Sequence, residues 1–337
     1  MQKILLVYNI LSSGVNPKII NEILKILKEK KFLIDKIETS KIGEATQKIK
    51  DYLRFQNLNK LNNFNNLNNL NNLNNQNILN NQNKNDLKMV IVVGGDGIIN
   101  EAVNALAYSN IPLGIIPRGT GNVFAKDRKI PFSIKKAIEV FKDENIKEID
   151  LGLINETKYY FMMCSCGFDV KAISNISPSL KKKFKILAYI YHGVKAFFTY
   201  KPSELILKIP QENILCKGYF CIISNVRSYG IPIAQIAPSA SINDGLLDVC
   251  VFINKSKFSF IANILAIFIK MHINFKNVFY TQTSNEIILE NDNYFVSNNN
   301  LKDLKENSPL VQIDGDVYCS LPVKIKISKK ALKIFVP

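Results

Sequence analysis

The sequence has no tryptophan, only two histidines (His192 and His272), and only four arginines beside forty lysines. Two histidines argue against a serine–histidine–aspartate relay or a histidine metal centre, so carboxylates must carry any acid–base chemistry. The six cysteines contain no C-x-x-C pair. Only Cys164 and Cys166 lie close together, so the set forms neither a zinc nor a disulfide framework, and a reducing cytoplasm is the expected compartment. The longest apolar run, 258–269, is about twelve residues, where about twenty are needed to cross a bilayer. The first residues enter a strand-like I-L-L-V-Y without the parts of a signal peptide. Any membrane contact is therefore expected to be peripheral, on the inner face. There is no aromatic stacking platform or basic recognition helix, which argues against nucleic acid as a partner. The net charge of +16 suits nucleotides or anionic lipid headgroups, although lysine bias with abundant asparagine also reads as the codon drift of an AT-rich genome.

Glycine is concentrated rather than scarce. Six of the fifteen glycines (Gly94, Gly95, Gly97, Gly114, Gly119 and Gly121) fall between Val90 and Asn122, in two turns that each follow an apolar run. The runs 89–93 and 113–116 read as buried parallel strands. At 94–97 the chain leaves a strand, turns without Cβ atoms and enters an amphipathic helix over 98–107, which aims backbone N–H groups at an anion. Asp96 in that turn cannot hold a phosphate. Its carboxylate suits a ribose hydroxyl, a backbone cap or a Mg²⁺-bound water.

The surrounding pattern alternates strand and helix. Strands are predicted over 4–8 and 33–39, and helices over 17–30, 43–53 and 131–142, giving a Rossmann-like parallel α/β domain over 1–145. Residues 57–85 interrupt it. Seventeen of these twenty-nine residues are asparagine in a loose L-N-N repeat, which predicts a disordered insert, with a solenoid turn or self-associating tract as the alternative. From 146 to 321 the chain becomes strand-rich, with runs at 148–154, 158–165, 205–209, 218–224, 247–252 and 285–290 and helices over 180–199 and 257–272. This predicts a second, mostly antiparallel β domain. The last residues, 322–337, alternate as antiparallel strands that could return to the first domain.

The two turns together resemble the diacylglycerol kinase catalytic-domain family of lipid kinases, which shares an ancestral fold with NAD kinases. The family's first turn reads G-G-D-G-T-x-N-E and its second P-x-G-T-x-N-D. Gly94, Gly95, Asp96, Gly97, Asn100 and Glu101 match the first; Pro117, Gly119, Thr120, Asn122 and Phe124 match the second. The early loop with Asn9, Ser12, Ser13 and Gly14 resembles the family's N-P-x-S-G nucleotide loop without its proline, though alone it reads as an ordinary strand–helix connection. Thr39 or Ser40 matches a position that contacts nucleotide in the family. The resemblance implies an ATP and Mg²⁺ site in the cleft of a two-domain enzyme, with ATP held by Asn9, Ser13, Gly14, Thr39, Gly94, Gly95, Asp96, Gly97, Asn100, Glu101, Gly119 and Thr120.

In the second domain, S-N-V-R-S-Y-G (224–230) and A-P-S-A-S-I-N-D-G-L-L-D (237–248) resemble further family signatures. The resemblance makes Ser241, Asp244 and the Leu246 carbonyl a structural Mg²⁺ site; a D-G turn that needs no metal is the plain alternative. V-Q-I-D-G-D (311–316) stands where the family has D-G-E, which makes Asp316 the expected general base, one methylene shorter than the family's glutamate. Asp150 and Asp96 are the carboxylates expected near the catalytic Mg²⁺. Ile98 and Val123 replace a family threonine and aspartate near the phosphates.

The expected activity is phosphorylation of a hydroxyl of diacylglycerol or a related long-chain lipid. NAD kinase, which shares G-G-D-G and the following N-E, and a nucleotide-binding protein without catalysis are the alternatives. The lipid tail needs an apolar groove. The helices around 184–198 and 258–269 could wall that groove or rest on an anionic bilayer near Lys181, Lys182 and Lys183, although a core helix is the commoner reading of such residues. A homodimer is left open.

Overall fold

The computed structural model describes residues 2–68, 86–167, 170, 202–291 and 308–337. The chain divides into two compact units, Met1–Glu148 with Leu332–Pro337, and Ile149–Ala331.

The first unit is built on β1 (Lys3–Asn9), β2 (Leu33–Thr39), β3 (Leu87–Gly94) and β4 (Leu113–Pro117). They are parallel in the order β2-β1-β3-β4. Strands covered on both faces read as continuous apolar runs, and β1 and β3 do so through Ile4–Leu5–Leu6–Val7 and Val90–Ile91–Val92–Val93, all fully buried. Helix α1 (Pro17–Glu29) begins where Asn16 Oδ1 accepts the Ile19 N–H at 3.0 Å and Pro17 takes the first helical position. It packs Ile20, Ile23 and Leu27 into a core with Ile4, Leu6, Ile91, Val93 and Ile116.

Helix α2 (Glu44–Asn68) runs past the expected end at 53 and into the asparagine-rich segment, whose first residues, 57–68, are therefore helical and not loop. Once a helix is nucleated, each added asparagine costs well under about 1 kcal/mol, so the register set by 44–56 carries on. Residues 69–85, the rest of the expected insert, lie outside the described residues, as does the helix expected over 180–199. Next come α3 (Asp96–Leu106), α4 (Val123–Asp127) and α5 (Ile134–Glu139), the last half the length expected for 131–142.

Two strands, β5 (Ile146–Ile154) and the terminal β18 (Val323–Phe335), run from one unit into the other. The second unit holds, between them, β6 (Lys158–Tyr160), β7 (Met163–Cys166), β8 (Leu205–Ile209), β9 (Ile214–Gly218), β10 (Phe220–Ser224), β11 (Ser228–Tyr229), β12 (Ile231–Gln235) and β13 (Leu247–Phe252). After helix α6 (Lys257–Phe268) come β14 (Val278–Thr283), β15 (Ile287–Asn291), β16 (Leu310–Ile313) and β17 (Asp316–Ser320). One antiparallel sheet runs β14-β13-β10-β7-β16-β17; β9, β8 and β15 pair antiparallel in another set, with β18 beside β15. Their facing side chains, among them Cys164, Ile223, Val249, Leu289 and Ile325, form the core. The six cysteines are free thiols. No helix among the described residues is long and apolar enough to cross a membrane.

Beyond its midpoint β18 changes partners: Ile325 pairs with Ile287 of the second unit, and Ile334 lies parallel beside Leu113 of β4 in the first. The terminal segment is thus one thirteen-residue strand shared by both units, and only Leu332–Pro337 joins the first.

Candidate functional site

The register of the parallel sheet places Asn9 beside Thr39 and Gly94 beside Pro117, so the loops that follow all four strands emerge at the same edge. Carboxyl ends of parallel strands are where α/β folds hold their ligands. Here three of those loops are joined. Gly14 N–H donates to the Arg118 carbonyl at 3.2 Å, Arg118 N–H donates to the Gly94 carbonyl at 2.8 Å, and the Ser13 and Thr120 hydroxyls are 3.2 Å apart.

The two glycine turns touch each other. A Cβ on Gly119 would lie 2.3 Å from the Gly95 Cα, and one on Gly95 would lie 2.9 Å from the Gly119 Cα. A Cβ on Gly14 would meet the Arg118 carbonyl oxygen at 2.5 Å. Glycine is required at these three positions so that backbone can pack on backbone. The resulting cradle presents the exposed Gly97 and Thr120 and the first turn of α3, whose N-terminus has no side-chain cap. Uncapped N–H groups there, with the positive end of the helix dipole, suit a phosphate.

Asp96 takes the backbone-cap role among the three open to it. Its carboxylate accepts from Val123 N–H at 3.0 Å and Phe124 N–H at 3.3 Å, so it ties the first turn to the helix that follows the second. Burial raises its pKa above the ordinary carboxylate value, and the Val123 and Phe124 N–H groups pull the other way. Asn122, in the left-handed region at φ 48°, clamps the second turn from within: its Oδ1 accepts Gly119 N–H at 2.8 Å and its Nδ2 donates to the Gly119 carbonyl at 2.7 Å. Arg118 braces the same turn by donating to the carbonyls of Pro117 and Phe132 at 3.0 and 2.7 Å.

Four other residues expected to touch nucleotide make hydrogen bonds within the protein. Glu101 is buried and its two oxygens accept Gly43 and Ala45 N–H at 2.9 and 2.8 Å, which caps the start of α2. Asn100 is buried one turn into α3, with the Asn104 amide donating to its side chain at 3.1 Å. Thr39 is buried and donates its hydroxyl to the Tyr8 carbonyl at 3.2 Å. Asn9 shapes its own loop, accepting Leu11 N–H at 2.7 Å. These four act as supports. Ser13, Gly14, Gly94, Gly95, Gly97, Gly119 and Thr120 form the cradle.

In the second unit, Asp244 is exposed and accepts Leu246 N–H at 3.0 Å, while Ser241 Oγ donates to Asn243 Oδ1 at 3.0 Å. A carboxylate, a hydroxyl and a main-chain carbonyl are hard oxygen donors, and three of them with water completing the shell fit Mg²⁺. Asp150 holds this turn in place. It is 1% exposed, and its two oxygens accept Gly245 N–H and Lys330 N–H, each at 2.7 Å. Arg227 braces the neighbouring backbone by donating to the Ala240 carbonyl at 3.0 Å. At the end of the motif Asp248 is buried between Tyr280 and Gln282, which donate to it, and burial pushes its carboxyl up to about 6.

Asp316 is exposed at the start of β17. The turn before it is rigid: Asp314 is buried and accepts the N–H groups of Phe161, Met162 and Met163 at 2.9–3.0 Å, and Gly315, at φ +92°, donates to Gln312 Oε1 at 2.7 Å. Sequence reasoning missed this anchor, because an aspartate in a D-G turn has no signal that distinguishes a buried cap from an exposed acid. Asp314→Ala strands three buried donors, and chemical denaturation is expected to show a loss on the order of 3–5 kcal/mol.

The diacylglycerol kinase catalytic domain model matches residues 3–154, and the YegS C-terminal NAD kinase beta sandwich-like domain model matches residues 162–336. A protein of Escherichia fergusonii named "Probable lipid kinase YegS" is 36% identical over 169 residues, covering 48% of this chain and 56% of its own length. An uncharacterized protein of Synechocystis sp. is 26% identical over 248 residues, 74% of this chain and 54% of its own length. The chain spans about half the length of these curated relatives. A crystal structure from Bacillus anthracis str. Sterne matches with a TM-score of 0.72 at 19% identity, covering 100% of this chain and 95% of its own. Another, described as a diacylglycerol kinase from the same organism, matches at 0.66 and 16%, covering 100% and 97%. At these identities the structures speak to the fold.

Proposed function

The chain belongs to the diacylglycerol kinase catalytic-domain family and carries a YegS-type C-terminal domain; from that premise we propose that it transfers the terminal phosphoryl group of ATP to a hydroxyl of diacylglycerol or a related long-chain lipid. The observation that carries the reading is the contact of Gly95 with Gly119 beside the Ser13–Thr120 pair, which joins three loops into one backbone cradle.

In this reading the N–H groups of the cradle and the first turn of α3 orient the ATP phosphates and spread their charge. The lipid hydroxyl oxygen forms a bond to the γ-phosphorus as the bond from that phosphorus to the ADP oxygen breaks, and the hydroxyl proton passes to the Asp316 carboxylate. Ser241, Asp244 and Leu246 would hold a Mg²⁺ that orders their turn, with Asp150 fixing the backbone beneath it. Mg²⁺ that accompanies the nucleotide would neutralise charge developing on the phosphates. Asn100, Glu101, Thr39 and Asn9 contribute by shaping the loops.

Equilibrium binding tests the nucleotide half of the reading. ATP with Mg²⁺ is expected to bind one site per chain in calorimetry, and NAD is expected not to compete. Competition by NAD, with phosphate transfer to it, would favour the NAD kinase alternative.

A further inference from the structure

We infer that the glycine cradle of the first unit takes the phosphate chain of ATP without a metal ion, so that metal-free ATP binds at least as tightly as the Mg²⁺ complex and competes with it. The donor set of the cradle decides this. Mg²⁺ is held by hard oxygens, usually one or two carboxylates together with the substrate phosphates. Phosphate is held by N–H groups and cations. The carboxylates at this edge of the sheet are already bonded within the protein. Asp96 accepts the Val123 and Phe124 N–H groups through its two oxygens, and Glu101 accepts those of Gly43 and Ala45. Both oxygens of Glu44 are taken, one by the Ser40 and Lys41 N–H groups and the other by Lys48 at 2.7 Å. Glu38 accepts the Tyr8 hydroxyl at 3.0 Å, and Asp127, at the end of α4, is paired with Arg128.

Two apolar side chains line the turns themselves. A Cβ on Gly94 would lie 2.5 Å from Ile98 Cγ2, and one on Gly121 would lie 3.2 Å from Asp96 Oδ2 and 3.6 Å from Val123 Cγ2. Ile98 thus covers the first turn and Val123 stands beside the Asp96 carboxylate, and neither offers an oxygen to a metal. The protein supplies the positive charge. The N-terminus of α3 has no side-chain cap and brings the positive end of its dipole to the cradle. Burial raises the Asp96 carboxyl pKa, and Lys126, exposed on α4, is near enough to be among the groups that pull it down. ATP without Mg²⁺ carries more negative charge than its Mg²⁺ complex, and a site of donors and cations favours the more highly charged form. Transfer still needs the Mg²⁺ that accompanies the nucleotide, because charge develops on the phosphates as the bond breaks. Bound metal-free ATP therefore blocks the site without reacting. The inference rests on the proposed nucleotide site and names the ionic form that the site selects, with the regulation that follows: the rate falls whenever ATP exceeds Mg²⁺.

The test is calorimetry of the full chain with ATP at a series of free Mg²⁺ levels ending in EDTA, so that the trend is read before any metal held by the second unit is withdrawn. Affinity is expected to rise about two- to fivefold as Mg²⁺ falls. Lys126→Gln is expected to weaken metal-free ATP by roughly threefold and to flatten the trend. Val123→Asp puts a carboxylate beside the cradle at the first position of α4, where a helix accepts an acid. That variant is expected to reverse the trend, weakening metal-free ATP by about fivefold and leaving the Mg²⁺ complex close to wild type. In transfer assays at fixed Mg²⁺, ATP added beyond the metal is expected to inhibit the wild type in competition with the Mg²⁺ complex. Wild-type affinity that rises with Mg²⁺, or binding only in its presence, overturns the inference and leaves the kinase reading in place. ATP binding in EDTA by a protein that phosphorylates no lipid supports the inference and removes the kinase reading. Absence of ATP binding at every Mg²⁺ level removes both.

Discussion

Asp316→Asn is expected to slow phosphoryl transfer to lipid by about 10² to 10⁴ fold, the range for loss of a general base, with ATP affinity unchanged. The substitution keeps size and polarity and removes only the proton acceptor. The turn that presents Asp316 is anchored independently, through the three N–H bonds to Asp314 and the Gln312–Gly315 contact, so the neighbouring backbone stays in place. Asp316→Glu is expected to retain or raise turnover, because the family's carboxylate sits one methylene further out. Two aspartates a residue apart thus separate cleanly: loss of Asp314 registers in denaturation, loss of Asp316 in rate. Full activity of Asp316→Asn on a lipid that wild type phosphorylates would move the base elsewhere. Asp96 is the next candidate, although its oxygens already accept from Val123 and Phe124.

The second large effect is expected at the contact of the two turns. Gly119→Val places a Cβ 2.3 Å from the Gly95 Cα, with two further methyl groups beyond it, and the obstructing atom is backbone that cannot rotate away. The turns must separate, and the Ser13–Thr120 pair and the Asn122 clamp open with them. ATP binding measured by calorimetry should be lost, and Gly95→Val should do the same. The strands beneath are held by their own ladder and core, so the fold should survive with a thermal midpoint lowered by several degrees. Gly121→Ala is the milder control. Its Cβ would meet the Asp96 Oδ2 at 3.2 Å, so the carboxylate that accepts the Val123 N–H need shift only slightly, and binding should weaken only modestly. Unchanged ATP affinity in Gly119→Val would remove the cradle from the nucleotide site.

Apolar runs and glycine turns made the first unit readable. The strand expected over 33–39 coincides with β2, and the helix over 17–30 is α1 within a residue at its end. These elements follow from local rules: an asparagine cap, a proline at the first helical position, and apolar spacing. The glycines were legible as a motif, but not the reason for all of them. Gly95 and Gly119 are twenty-four positions apart, and sequence alone gives no sign that each needs the other's missing side chain. The carboxylates were harder still. Asp96, Asp150, Glu101 and Asp314 all read as candidate ligands or plain turn residues, and all four accept backbone N–H groups. The same oxygen atoms serve a helix end or a metal equally well, and only the partners decide. The first part of the asparagine-rich run, 57–68, was misread because composition predicts disorder, whereas a helix already started at Glu44 extends to Asn68.

Transfer of labelled phosphate is the most direct measurement. Purified protein is incubated with γ-labelled ATP, Mg²⁺ and mixed micelles containing diacylglycerol or other long-chain hydroxyl lipids, with NAD in a parallel reaction. The account predicts label in the organic phase on at least one lipid, dependent on Mg²⁺ and abolished by Asp316→Asn. Label on NAD, or none on any lipid while ATP still binds, would contradict it.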